Sequence, residues 1–217
     1  MGDERKSESG SLAHTTPMGH WDKVYREKSE TEVSWFQAKP TKSLDFIARS
    51  ELTKSSPIID IGGGASRLID HLLNDGYTDL TVLDIAEPAL AQSKARLTDN
   101  AAVINWIVND ITTWVPPRIY DLWHDRAVFH FLTGQQARDE YKRALTAATH
   151  SGSNIIIATF ALNGPDRCSG LPVVRYSPQS LAAEFGDQFA LIDHMTTGHR
   201  TPGGGEQAFQ YSRFQVG

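Results

Sequence analysis

The segment Pro57-Ile58-Ile59-Asp60-Ile61-Gly62-Gly63-Gly64-Ala65-Ser66-Arg67-Leu68 constrains the fold more than any other part of this chain. Ile58 to Ile61, broken only by Asp60, reads as a buried strand. Three glycines follow, and then a helix-compatible run from Ala65 to Leu73. A strand that runs through a glycine turn into a helix presents bare backbone to whatever lies against it.

The rest of the chain repeats the alternation. Helices are expected at Met18–Lys28 and Lys42–Leu52, then at Pro88–Leu97, Gln135–Thr149 and Ser177–Phe185. Strands are expected at Leu80–Ile85, Val103–Val108, Tyr120–Trp123 and Asn154–Phe160. Asn163 to Pro172 reads as a loop, and Phe189–Met195 and Gln207–Gln215 as two strands joined by the Gly/Pro loop Thr201–Gly205. Strands alternating with helices give an α/β fold with helices on both faces of a parallel sheet. The closing strand–loop–strand adds one antiparallel edge strand, Gln207–Gln215, to a single α/β domain with a mostly parallel, seven-stranded sheet. Residues 1–17 are expected to be a disordered leader, residues 18–217 the domain, and residues 18–52 its N-terminal lid helices.

Two ligands compete for the glycine turn. A dinucleotide site uses Gly-x-Gly-x-x-Gly and holds a pyrophosphate on the helix N-terminus. Gly62 and Gly64 fit that spacing, but Arg67 stands at the third position, and Asp60 brings negative charge to the same turn. A carboxylate repels a pyrophosphate and attracts a cation. S-adenosyl-L-methionine (SAM) carries an ammonium and a sulfonium and no phosphate. In an open α/β sheet the ligand lies at the carboxyl ends of the strands. Four strands here end at or beside acids: Asp60, Asp84, Asp110 and Asp125. Asp84 falls about 20 residues past the turn, where an acid accepts ribose hydroxyls. Asp110 beside Ile111 is placed to accept from an adenine amino group while the Ile packs on the ring.

Ile59-Asp60-Ile61-Gly62-Gly63-Gly64-Ala65-Ser66, Leu83-Asp84-Ile85 and Asp110-Ile111 resemble the first three SAM-binding motifs of class I (Rossmann-like) SAM-dependent methyltransferases. The likeness covers the element order of nearly the whole chain after Met18. It implies that Gly62 and Gly64 pass under the methionine part, Asp60 lies near its ammonium, Asp84 and Ile85 serve the ribose, and Asp110 and Ile111 hold the adenine. The product would be S-adenosyl-L-homocysteine (SAH). Ser66 stands where the common pattern has its last glycine. A narrower likeness joins Trp21-Asp22-Lys23-Val24-Tyr25 with Trp35-Phe36-Gln37, and Tyr120 to Ala127 with Arg138 and Tyr141, to the thiopurine methyltransferase group. That group has an aromatic lid over SAM and a Trp-Asp-Arg-Gly signature, here interrupted by His124 and ended by Ala127. The Trp-Asp-x-x-Tyr run also resembles a group of eukaryotic protein-lysine methyltransferases.

Methyl transfer to sulfur or nitrogen is mainly a matter of holding two reactants in line. A base is needed only where the acceptor must lose a proton. His124, Asp125 and His130, near the end of strand four, are the candidates; His20 and His199 are weaker ones. Trp21, Tyr25, Trp35 and Phe36 form a candidate aromatic wall against the sulfonium. Asp125 joins the cofactor candidates. Arg126 either neutralises one of the clustered acids or holds an anionic acceptor. Cys168, Arg175 and His199 are expected around the acceptor pocket, with Trp35 and Phe36.

With 217 residues, a net charge of −5 and a single cysteine, the chain suits one reduced, cytoplasmic domain without a disulfide. Nucleic acid and membrane are not expected partners, because the charge is acidic and no long apolar run exists. No His/Cys/Asp cluster has metal-ligand spacing, so no metal is expected. The expected protein is a monomeric SAM-dependent methyltransferase acting on a small molecule, with sulfur or nitrogen ahead of oxygen. A protein-lysine methyltransferase, a non-catalytic SAM-binding protein and a dehydrogenase are the alternatives.

Overall fold

The computed structural model describes residues 16–217, so most of the expected leader lies outside the described residues. Thr16 and Pro17, its last two residues, are the N-cap and first residue of α1 (Pro17–Glu27), and the Thr16 hydroxyl accepts from Gly19 N. Then come α2 (Thr41–Ala48), β1 (Ile58–Ile61), α3 (Leu68–Asn74), β2 (Leu80–Asp84) and α4 (Glu87–Leu97). They are followed by β3 (Ile104–Val108), β4 (Leu122–Arg126), α5 (Gln135–Ala147) and β5 (Asn154–Phe160). The expected loop after β5 contains a two-stranded ribbon, β6 (Arg167–Cys168) with β7 (Leu171–Pro172). The chain ends with α6 (Pro178–Phe185), β8 (Phe189–Arg200) and β9 (Glu206–Val216). Ser177 opens α6 through a reciprocal capping box with Ser180.

Seven strands form one sheet in the order β3-β2-β1-β4-β5-β9-β8. The first five are mutually parallel, and β9 runs antiparallel to both of its neighbours. The antiparallel strand is the one expected, but it sits one place in from the edge and β8 takes the edge itself. β8 also continues past Met195, pairing Thr196 to Arg200 with Gln210 to Glu206. Those residues are polar and carry no hydrophobic alternation, so only the ladder reveals them as strand.

Adjacent strand residues point to opposite faces, and the core divides accordingly. Ile58, Val82, Leu122 and Ile156 pack against Phe46, Leu68 and Leu90 of α2, α3 and α4. Ile59, Leu83, Trp123 and Ile157 pack against Tyr141, Leu181 and Phe185 of α5 and α6. A third cluster joins Tyr25, Trp21 and Trp35 of the N-terminal segment to Ala65, Ala86 and Ala89, beside the glycine turn. Chain order reverses across the β1–β4 pair, which is where an open α/β sheet leaves its crevice.

Candidate functional site

The crevice is a cavity of about 820 Å³, within the range of small-ligand sites. Its floor is the glycine turn and the ends of β2 and β3. Gly62 adopts φ +65°, and its N–H donates to Leu83 O at 2.7 Å. A Cβ there would come within 2.1 Å of Val128 Cγ2, and one on Gly64 within 2.5 Å of Asp84 Oδ2. Side chains are excluded from both positions, so the turn meets the crevice as backbone.

Asp84 closes β2 and lines the cavity, with Oδ1 accepting from Ala86 N at 2.8 Å. Burial, reinforced by the Asp60 charge, pushes its carboxyl up to about 7 despite that bond. Asp110 lies two residues past β3, and Oδ1 accepts from both Thr112 N (2.9 Å) and Thr112 Oγ1 (2.7 Å). Ile85 and Ile111 supply apolar surface beside the two acids. A pair of cavity carboxylates, bare turn backbone and flanking isoleucines suit hydroxyls, an amino-bearing ring and positive charge, the groups that SAM presents.

The N-terminal segment lines another side of the crevice. Trp35 Nε1 donates to Tyr25 Oη at 3.2 Å, and Trp21 meets the edges of Trp35 and Phe131 at 5.7 and 5.0 Å between centroids. Trp21, Tyr25 and Trp35 all line the cavity. Gln92 of α4 donates to the Tyr25 and Lys28 carbonyls, tying down the end of α1. Farther along, Glu30 receives Arg67 and Arg96, and Arg96 also grips Asp70 at 2.8 Å. Arg67, the residue that breaks the dinucleotide pattern, thus clasps the N-terminal segment.

The three candidate bases are elsewhere. Asp125 faces α5, opposite the crevice, where it accepts from Val128 N, Phe129 N and Tyr141 Oη. Burial raises its carboxyl to about 6. It shapes the loop after β4, and its expected cofactor and catalytic places are corrected on that ground. His124 points the other way, with Nδ1 on Asp60 Oδ1 at 2.6 Å and Nε2 on Ser43 Oγ at 2.9 Å. This pair borders a separate small cavity of about 50 Å³, so Asp60 turns to His124 instead of lining the larger crevice. His130 is fully buried; its Nδ1 accepts from Phe160 N, and desolvation lowers it to about 3. A base that weak, outside the cavity lining, does not serve the crevice.

The remaining expected residues divide. Trp35, Arg126 and Cys168 line the cavity. Burial holds the Cys168 thiol up at about 11, so it stays protonated. Phe36 borders the small cavity beneath Arg67. Arg175 donates to Gly164 O and His199 pairs with Ser34 O, so both act in holding loops. Sequence reasoning did not single out Phe131 or the turn Leu132-Thr133-Gly134, which close the crevice after β4. The apolar Phe129-His130-Phe131-Leu132 run was the available signal. His20 is the one histidine lining the cavity among the described residues, and its Nε2 is buried without a partner.

A family model described as a methyltransferase domain matches residues 58–152, from the first residue of β1 to just before β5. Over those residues, somewhat less than half of the chain, the protein is similar to a methyltransferase domain. The match spans the glycine turn, Asp84 and Asp110 together. No curated protein matches the chain. A SAM-dependent methyltransferase structure from Anabaena variabilis is similar over 92% of this chain and 95% of its own, with a TM-score of 0.72 and 12% identity. The N-methyltransferase NodS from Bradyrhizobium japonicum, in complex with SAH, matches over 90% and 97%, with a TM-score of 0.66 and 14% identity. A structure concerned with the conversion of a disulfide bond into a thioacetal group during echinomycin biosynthesis matches over 90% of each chain, with a TM-score of 0.71 and 18% identity. These solved structures share the class I, Rossmann-like fold with this chain. Among the described residues no group of three His, Cys, Asp or Glu can hold a metal, and no helix is long and apolar enough to cross a membrane.

Proposed function

We propose that this chain is a SAM-dependent methyltransferase that acts on a small molecule and places the methyl group on sulfur or nitrogen. The carrying observation is the crevice itself: one partly open cavity is lined both by the carboxylates Asp84 and Asp110 and by the apolar residues Phe131, Leu171 and Pro172 with Cys168. A lysine on a folded protein calls for an open, acid-lined groove, whereas Trp21, Tyr25 and Trp35 wall this one with aromatic rings. The aromatic cluster and Arg126 at the end of β4 also fit the likeness to the thiopurine group.

Each residue has a role in this reading. Asp84 accepts from the ribose hydroxyls, Asp110 from the adenine amino group, and Ile85 and Ile111 pack on the rings. The Gly62–Gly64 backbone lies under the methionine part. Trp21 and Trp35 keep water out and turn aromatic faces toward the positive sulfur. SAM supplies the methyl group on a good leaving group, so the protein's contribution is alignment of the acceptor. For a thiol acceptor, His20 is placed to take the proton on Nε2. The solved structures with this fold include an N-methyltransferase and one concerned with the conversion of a disulfide bond into a thioacetal group, which supports nitrogen or sulfur as the acceptor atom.

An SAH-release assay over thiols, amines, phenols and lysine peptides tests the proposal. Turnover is expected with a small thiol or amine. Turnover confined to the peptides would replace it with the protein-lysine reading.

A further inference from the structure

The crevice lining carries both signs of charge. Asp84 and Asp110 supply carboxylates, whereas Arg126, the last residue of β4, is the only Lys or Arg lining the cavity among the described residues. Its guanidinium is fixed in place. Nε donates to Tyr211 Oη at 3.1 Å, Nη1 donates to the Trp35 carbonyl at 3.0 Å, and the Phe209 ring lies 4.5 Å away. None of these is a counter-ion. Arg67, Arg96 and Arg138, also partly buried, each pair with a carboxylate, whereas Arg126 has none among the described residues. It therefore does not neutralise the clustered acids. Its Nη2 is buried and has no hydrogen-bond partner.

Arg126 also borders the small cavity with Asp60 and Glu30, but those acids pair with His124 and with Arg67 and Arg96. His130 and His199 are held below the ordinary histidine range, first by burial and then by Arg126, and the Cys168 thiol stays protonated. A partly buried cation with a buried, unmet donor is costly to keep. A guanidinium edge held this way matches the two oxygens of a carboxylate. Around it, Trp21, Phe131 and Leu171 offer surface to an apolar or aromatic body.

We infer that the methyl acceptor is an apolar or aromatic small molecule bearing a carboxylate, and that Arg126 Nη2 receives that carboxylate. The inference rests on the small-molecule reading above. A lysine ammonium in the same place would meet like charge. The methionine end of the cofactor is a second source of a carboxylate, and the test separates the two.

The SAH-loaded protein is titrated calorimetrically with aromatic acids and their methyl esters (benzoate, 2-naphthoate and 4-aminobenzoate). The acids are expected to bind about tenfold or more tightly than the esters, as a charge-assisted bond implies. The ratio should fall to about one in Arg126→Gln and persist in part in Arg126→Lys, with SAH affinity little changed. Added salt should weaken the acids and not the esters in the unmutated protein, a readout that stands if a variant fails to fold. Equal binding of acids and esters, or no binding of either, overturns the inference. So does a loss of SAH affinity in Arg126→Gln with the acid–ester ratio intact, which assigns Arg126 to the cofactor. Failure of the unmutated protein to bind SAH would instead strike the cofactor reading, and the acid–ester ratio measured without SAH would still decide the role of Arg126.

Discussion

Asp60 and His124 are joined side chain to side chain across β1 and β4, Oδ1 to Nδ1, at 2.6 Å. Both are buried, and Ser43 of α2 holds the other ring nitrogen. The carboxylate ahead of the glycine turn is thus occupied within the protein, and it ties the sheet to the N-terminal helices. His124→Leu strands that carboxylate and the Ser43 hydroxyl. We expect a loss of about 3 kcal/mol in urea unfolding. A midpoint equal to that of the unmutated protein would show the pair to be dispensable.

Asp84→Ala removes an acceptor from the cavity floor. SAM and SAH affinity should drop on the order of 10- to 100-fold, since a buried hydroxyl pair loses its partner at about 1–3 kcal/mol. Calorimetry measures this directly. Unchanged affinity would place the ribose elsewhere.

Asp84 and Asp125 also shape the pH dependence of stability. Their folded carboxyls titrate near 7 and 6, against 3.8 as the ordinary value. Between about pH 4 and 7 the folded protein keeps protons that the unfolded chain has already released, so stability falls as pH rises through this window and then levels off. Asp125→Asn should flatten part of the slope, the difference between variant and parent changing mainly between pH 4 and 6. Parallel stability curves for the two proteins across that interval would contradict the burial argument.

The clasp at Glu30 predicts a kinetic effect. Glu30→Gln takes away the shared partner of Arg67 and Arg96, leaving the crevice lining intact. SAH should dissociate several-fold faster, read by stopped-flow tryptophan fluorescence, and the rate should lose much of its salt dependence. Trp35→Ala should also speed dissociation, but with the salt dependence kept. If neither rate changes, the N-terminal segment is part of the core and not a lid.

The glycine turn, Asp84 and Asp110 were legible in the sequence because each is local: a strand pattern, a turn and an acid at the strand's end. The seven strands and most helices followed from periodicity for the same reason. The base candidates went wrong at the end of a strand. β4 runs on to Arg126, past the expected end at Trp123, so His124 and Asp125 are adjacent in a strand, face opposite sides and cannot share a crevice. The Asp60–His124–Ser43 chain, the Glu30 clasp and the unpaired Arg126 depend on which distant segments meet. Nothing in the spacing of Glu30, Arg67 and Arg96 announces that contact. The place of β9 inside the sheet was likewise a question of tertiary order, settled by ladders to both β5 and β8.

The crevice floor and the N-terminal segment are held by different forces. The floor is backbone with the buried Asp84 and the half-buried Asp110, while the N-terminal segment is fastened through part-buried ion pairs. How tightly the protein retains its donor and how quickly it exchanges spent donor for fresh are therefore two separate dials. Ionic strength turns the second far more than the first, and a designer seeking faster turnover would work at Glu30 without disturbing recognition.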